Sequence, residues 1–233
     1  MTSPEAGGRS HRPHRIILVR HGESEGNIDD TIYERVPDHR IGLTPKGFEQ
    51  ARETGVQLRA LIGDESVDVY CSPYHRAQQT LEALGLPIAL TDARIEPRLR
   101  EQDWDNFQDP ADIVRQKVER DRFSHFYYRF HHGESGSDVY DRVSTFLESL
   151  FRNFESPEGP RNVVIVTHGL TMRLFCMRWF HWRVQYFESL ENPDNAQPVV
   201  LSRQSDYRYR LDHPFTQWDP SVVPSERERS SWR

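Results

Sequence analysis

Two histidines close two apolar runs. His21 lies in Leu18-Val19-Arg20-His21-Gly22-Glu23-Ser24-Glu25-Gly26-Asn27, and His168 lies in Val164-Ile165-Val166-Thr167-His168-Gly169. An imidazole at the exit of a buried strand is poor core material but a good nucleophile or anion ligand. Arg20, beside His21, carries a planar fork that matches phosphate oxygens. The chemistry in view is phosphoryl transfer: a neutral imidazole attacks phosphorus and forms a phosphohistidine, splitting one hard step into two. Gly22 is expected to let the backbone pass close to the phosphate. Ser24 and Asn27 offer neutral donors. Alone, an Arg-His-Gly triplet is a weak signal.

Three further pieces strengthen it. In Ser72-Pro73-Tyr74-His75-Arg76-Ala77-Gln78-Gln79-Thr80 a strand ends and a helix starts near Pro73. Arg76 then falls in the first turn, where helix N-termini already favour anions. Taken singly, a solvated arginine is the better reading of Arg76, and a satisfied strand-end histidine the better reading of His168. Together, two arginines and two imidazoles around one phosphoryl group would spread charge over its oxygens, with no metal required. The last piece is Glu101, in Arg98-Leu99-Arg100-Glu101-Gln102-Asp103-Trp104. A carboxyl group among aromatic and apolar neighbours can protonate a leaving alkoxide and later take a proton from water. Asp103 competes with it for that role.

The elements that must carry these residues alternate between strand and helix. Arg15–Arg20 reads as a buried strand. Thr44-Pro45 opens a helix with Phe48, Ala51, Gly55, Leu58 and Ile62 at helical spacing. Val67–Cys71 is a short strand, Pro73 starts a helix, and Pro87–Leu90 is a third strand. Asp109–Arg122 is helical. Ser135 or Ser137 caps the clearest helix of the chain, whose stripe runs Val139, Val143, Phe146, Leu147, Leu150, Phe151 and Phe154. Asn162–Thr167 is another buried strand, Gly169–His181 is helical, and Pro198–Ser202 with Tyr207–Leu211 makes a late hairpin. Such alternation predicts an α/β fold, three layers with a mostly parallel central sheet. Ligands of such sheets sit beyond the carboxyl ends of the strands, where both histidines fall. The expected organisation is a flexible arm over residues 1–13 and one domain over 14–212. A helix-and-loop lid is inserted at about 97–134, and a loose tail covers 213–233.

Composition narrows the partners. The formal net charge is -6, so no global basic field invites nucleic acid or an anionic membrane, and any anion site must be local. Two cysteines, Cys71 and Cys176, lack metal-ligand spacing and fit a reducing cytoplasm. No apolar stretch approaches the ~20 residues of a membrane span, and no secretory leader is evident. His131-His132 has no carboxylate or cysteine to complete a metal set. No cofactor and no metal are expected. Oligomeric state is open, a dimer included.

The four pieces resemble the histidine phosphatase superfamily, in its phosphoglycerate-mutase-like branch. The matching runs are Leu-Val-Arg-His-Gly-Glu-Ser-Glu-Gly-Asn, Ser-Pro-Tyr-His-Arg-Ala-Gln-Gln-Thr, Leu-Arg-Glu-Gln-Asp-Trp and Val-Thr-His-Gly. The likeness is closest to plant and fungal phosphoglycerate-mutase-like phosphatases with a Gly-Glu-Ser-Xaa-Xaa-Asp-Val-Tyr-Asp-Arg-Val segment, which reads here Gly133-Glu134-Ser135-Gly136-Ser137-Asp138-Val139-Tyr140-Asp141-Arg142-Val143. The resemblance implies that His21 is the phosphorylated nucleophile. It implies a phosphate pocket lined by Arg20, Arg76, His168 and Gly169, supported by Ser24 and Asn27, with Glu101 as proton donor. One departure stands out: Trp104-Asp105 replaces the family's usual Trp-Gly or Phe-Gly pair, so the loop holding Glu101 is expected to be shaped differently. The Arg-Arg-Ser-Tyr segment and proline run of the mutases are missing. The expectation is therefore hydrolysis of a small phosphorylated metabolite. A cofactor-dependent mutase and an inactive phosphate-binding module are the alternatives. The aromatics Phe123, Phe126, Tyr127, Tyr128 and Phe130 read as a small core for the lid, slightly ahead of a grip on the leaving group.

Overall fold

A computed structural model of the 233-residue chain describes residues 12–88, 92–155 and 159–219. Its strands are β1 (Arg15–Arg20), β2 (Val67–Cys71), β3 (Arg94–Ile95), β4 (Asn162–Thr167), β5 (Pro198–Arg203) and β6 (Tyr209–Leu211). Its helices are α1 (Glu25–Ile28), α2 (Pro45–Ile62), α3 (His75–Leu84), α4 (Pro110–Phe123), α5 (Gly136–Phe154), α6 (Gly169–Phe180) and α7 (Val184–Glu188). The strands form one sheet in the order β3-β2-β4-β1-β5-β6. The pairs β2–β3, β2–β4 and β1–β4 are parallel, while β5 and β6 extend the sheet antiparallel beyond β1. This is a three-layer α/β fold with a mixed sheet.

Continuous apolar strands bury both faces of a sheet. Alternate residues of β1 and β4 divide accordingly. Ile16, Leu18, Val163 and Ile165 pack with Val143, Phe146, Phe175 and Cys176 of α5 and α6. Ile17, Val19, Val164 and Val166 pack with Leu58, Ala77 and Leu81 of α2 and α3. The helices start where their caps dictate. The Thr44 side chain accepts from Gly47 N with Pro45 at the first position, and Ser135 makes a reciprocal capping box with Asp138.

Two expectations need correction. Pro87–Leu90 is not a strand where it is described: Pro87 and Ile88 form a bend, and the remaining two residues lie outside the described ones. Proline has no N–H for a ladder, and the sheet edge is instead made by Arg94 and Ile95 beside Tyr70 and Cys71. The tail is not loose at its start. Phe215 is buried, Glu191 N donates to Thr216 O at 2.9 Å, and Trp218 N donates to Ser189 O at 2.8 Å. The other end of the expected arm, residues 1–11, and residues 220–233 fall outside the described residues. Among the described residues no helix is long and apolar enough to cross a membrane.

Candidate active site

The register of the central strands brings the two histidines together. Arg20 of β1 lies opposite Thr167 of β4, so the next residue of each strand is a histidine. His21 N donates to Thr167 O at 3.0 Å, and the two rings sit 5.2 Å apart, centroid to centroid. β2 ends alongside: Ser72 N donates to Val166 O at 2.9 Å, which places Ser72 and the first turn of α3 at the same edge. Residues far apart in the chain thus converge on one site.

His21 is 4% exposed, and its Nδ1 is 2.7 Å from Gly22 O. A carbonyl only accepts, so Nδ1 carries the proton and Nε2 keeps its lone pair. Burial, then the nearby Arg76 and Arg20, hold the imidazole well below its ordinary value, so the ring is neutral. Gly22 is required by a packing contact that the sequence did not reveal. A Cβ there would lie 2.4 Å from Gly47 O, so the glycine lets the loop pass against the start of α2.

His168 is fully buried, and burial followed by Arg76 and His21 holds it neutral as well. Its Nε2 is 2.8 Å from Ser72 Oγ, while Nδ1 has no hydrogen-bond partner among the described residues. His168 and Gly169 stand behind the cavity wall rather than on it. His168 packs on the His21 ring, which does line the cavity, and on the Tyr74 ring, each 5.2 Å away. Gly169 is packed so closely on Asn192 that a Cβ would lie 2.7 Å from its amide.

The other expected residues do line one cavity: Arg20, His21, Ser24, Asn27, Arg76 and Glu101. Arg20 donates from Nη1 to Pro193 O at 2.6 Å, and its Nε has no partner among the described residues. Asn27 Oδ1 accepts from Ser24 N, Ser24 Oγ and Asn195 Nδ2 at 2.9, 3.0 and 3.2 Å. That triple anchoring fixes the amide and leaves its NH2 as the free donor. Arg76 was expected to be a plain phosphate clamp. It is already paired: Nη1 reaches Asp38 Oδ1 at 2.7 Å and Asp38 O at 2.8 Å. Asp38 therefore orients this guanidinium, and Tyr33 lies on the same wall. Neither was visible in the sequence, because residues 21–43 carry no clean period.

Glu101 faces the cavity, whereas Asp103 does not line it. Glu101 Oε1 accepts from Gln102 N at 3.0 Å and from Thr171 Oγ1 at 3.3 Å. Burial pushes its pKa up, against the pull of the Gln102 N–H, Arg76 and Arg142. Asp103 is also raised, by burial and then by Glu134. The loop holding both acids is clamped from below. Arg142 donates to the carbonyls of Arg98, Arg100 and Glu101 at 2.7, 2.9 and 3.1 Å, and its Nη2 pairs with Glu134 at 3.0 Å. Glu134 in turn accepts from Asp103 N at 3.1 Å and pairs with Arg100. Gly133 completes the bend, since a Cβ there would strike Asp103 O at 2.1 Å. The close approach that a glycine after Trp104 would have eased is thus supplied from the other strand of the loop, and Trp104 stacks on Phe130 at 4.7 Å. Arg142→Ala removes one of the two guanidinium partners of the mostly buried Glu134 and strands three carbonyls. It should cost about 3–5 kcal/mol, read as a lowered denaturant midpoint at unchanged slope.

Five residues beyond the expected set deserve their place for physical reasons. Trp104, Arg120, Arg173, Asn192 and Trp218 also line the cavity. Arg173 was detectable: it is a lone charge within Gly169–Met177, a run buried throughout. Phe123, Phe126, Tyr127, Tyr128 and Phe130 do not line the cavity, and they do not form a separate lid core: Phe126 joins the main core beside Val139 and Phe187, Phe130 is buried against Trp104, and Phe123 and Tyr127 are exposed. Cys71 and Cys176 are buried thiols pushed up in pKa by desolvation, and both are far from nucleophilic. Among the described residues no group of three or more His, Cys, Asp or Glu side chains is placed to hold a metal ion.

Comparison with known proteins matches residues 16–213 to the Histidine phosphatase superfamily (branch 1). The chain is 46% identical to Phosphoglycerate mutase-like protein AT74 of Arabidopsis thaliana, over an alignment covering 94% of this chain and 76% of that protein. It is 31% identical to Broad-range acid phosphatase DET1 of Saccharomyces cerevisiae, covering 89% and 91% respectively. Among solved structures, a mycobacterial glucosyl-3-phosphoglycerate phosphatase in complex with VO3 superposes with a TM-score of 0.67. It is 25% identical, and the match covers 85% of this chain and 97% of that one.

Proposed function

The chain belongs to the histidine phosphatase superfamily and is a phosphatase of its branch 1, and we propose that it hydrolyses small phosphomonoesters through a covalent phosphohistidine on His21. One observation carries the reading. A neutral imidazole with its Nδ1 proton fixed on Gly22 O shares one cavity with Arg20, Arg76 and Glu101. In the first step the Nε2 lone pair bonds to phosphorus as the ester P–O bond breaks. The leaving oxygen takes the Glu101 proton and departs as an alcohol. The Gly22 carbonyl supports the cationic ring that results. In the second step a water oxygen bonds to phosphorus, Glu101 carboxylate accepts its proton, and the P–N bond breaks to return neutral His21. Arg20, Asn27 and Arg76 bear the charge on the phosphoryl oxygens throughout. His168 acts from behind, packing His21 in place.

The relatives support hydrolysis: one is named a broad-range acid phosphatase, another only mutase-like. The test is release of inorganic phosphate from an aryl phosphate in the presence of a chelator. Turnover should survive chelation, and strict dependence on an added divalent ion would overturn the metal-free reading. Incubation with 3-phosphoglycerate and its bisphosphate primer separates the mutase alternative. Rapid isomerisation with negligible phosphate release would replace hydrolysis as the function, and silence in both assays would leave a binding module.

A further inference from the structure

Tyr33 lines the cavity, and neither chemical step described above uses it. It sits in a short helical turn, Asp30–Glu34, whose start is fixed by Asp29, which accepts from Thr31 N at 3.0 Å. Its carbonyl is also tied, accepting from Gln108 N at 3.1 Å. The ring reaches back over α1. A Cβ on Gly26 would lie 2.4 Å from the phenol oxygen, so the hydroxyl rests on the glycine immediately before Asn27. Only a residue without a side chain allows that approach. The charged groups that act on this hydroxyl are Asp38, Arg76, Glu101 and Arg20. It therefore lies amid the two arginines and the carboxyl group of the phosphoryl site. Yet it makes no hydrogen bond to any described residue. The two acids that act on it are engaged elsewhere. Asp38 gives Oδ1 and its carbonyl to Arg76, and Glu101 Oε1 accepts from Gln102 N and Thr171 Oγ1.

Both arginine clamps are partly spent before a substrate arrives. Arg20 gives Nη1 to Pro193 O, and Arg76 gives Nη1 to Asp38, whose charge offsets its own. A phosphoryl group in transfer spreads its charge over its peripheral oxygens, so neutral donors must carry part of the load. Resting on the phosphatase reading above, we propose that Tyr33 is a further catalytic residue, whose hydroxyl donates to a phosphoryl oxygen in both steps alongside the Asn27 NH2. Burial, then Asp38, pushes the phenol above its ordinary value against the pull of Arg76 and Arg20, so the oxygen keeps its proton and remains a donor. Tyr33 exchanges no proton; Glu101 alone does. A hydroxyl set against Gly26 in advance needs no rearrangement as charge builds on the phosphoryl oxygen.

The experiment is Tyr33→Phe, which removes a single oxygen atom and keeps the ring over Gly26. Its kcat should fall by about 10^2-fold, the scale of one lost oxyanion donor, with KM little changed. The loss should be equal for alkyl and p-nitrophenyl phosphates, because the donor serves the phosphoryl group and not the leaving oxygen. Calorimetric titration reads the same contact without turnover. Vanadate, which takes up the five-coordinate geometry of the transfer, should bind the variant about tenfold or more weakly than the wild type, and inorganic phosphate should lose less. A variant with wild-type kcat overturns the proposal. So does a loss confined to alkyl esters, which would put the hydroxyl on the leaving oxygen. Equal losses of vanadate and phosphate affinity overturn it too, since a packing role alone would give them. A wild type that releases phosphate from no ester refutes the phosphatase reading, and the comparison of vanadate with phosphate still decides the Tyr33 contact.

Discussion

His21→Ala should lower kcat/KM for an aryl phosphate by roughly 10^4-fold or more, the scale on which loss of a covalent nucleophile acts. The argument is geometric. Two imidazoles line the cavity, but His125 is engaged by Asp121 at 2.7 Å, whereas the Nδ1 bond of His21 to Gly22 O leaves its Nε2 as the ring atom with a lone pair to offer. His168 cannot substitute, since it is fully buried and its Nε2 is held by Ser72. Rapid quenching of the wild type with a labelled substrate should trap a phosphoenzyme that is stable in base and lost in acid, as a phosphoramidate bond requires. The alanine variant should show none. Because the substitution also empties a buried site, His21→Gln serves as a partner of similar volume and should be equally silent. A labelled phosphoenzyme in either variant, or a rate close to wild type, would move the nucleophile elsewhere and remove the basis of the mechanism.

The parts of this site that could be read in advance are those set by local rules. Apolar runs before His21 and His168 dictated buried strands, and once two such strands pair in parallel, register alone makes their terminal histidines neighbours. Thr44-Pro45 and Ser135 mark helix starts because capping is a matter of three or four adjacent residues. What escaped is set by contacts across the chain. Asp38 meets Arg76 from a short helical turn with no apolar period, so no pattern announces it. Arg142 looks like one more charge on the polar face of an amphipathic helix, yet it clamps the carbonyls around Glu101. The sequence around Gly22 points to the phosphate and gives no sign that its missing side chain also makes room for α2. Pro87–Leu90 looked like a strand by its apolar content, but the edge of the sheet is chosen by what can pair with β2, and an N–H-less residue cannot. Arg173 is the instructive omission. A charge in the middle of a buried helix costs too much to be accidental, and that signal needed no coordinates.

Glu101→Gln should produce a loss that depends on the leaving group. With an alkyl phosphate, whose alkoxide cannot leave unprotonated, kcat/KM should fall by about 10^2–10^4-fold. With p-nitrophenyl phosphate, whose phenolate leaves without help, the first step should be spared and the loss confined to the step that activates water. The pH profile carries the same logic. With ordinary values, about 6.5 for imidazole and 4.3 for a glutamic acid, neutral histidine and protonated glutamate scarcely coexist. Burial moves the two in opposite directions, lowering His21 and raising Glu101. The productive pair is thereby populated at acidic to neutral pH. As pH falls through the lowered His21 value the nucleophile is protonated and the rate drops. As pH rises through the raised Glu101 value the proton donor is lost and the rate drops again, most steeply for alkyl substrates. The glutamine variant should retain the acidic limb and lose the alkaline one. Asp103→Asn should keep both limbs, because Asp103 lies off the cavity wall, half-buried beside Glu134. If the asparagine variant erases the alkaline limb while the glutamine variant keeps it, the proton is carried by Asp103. If Glu101→Gln slows alkyl and p-nitrophenyl esters equally, Glu101 does not protonate the leaving oxygen.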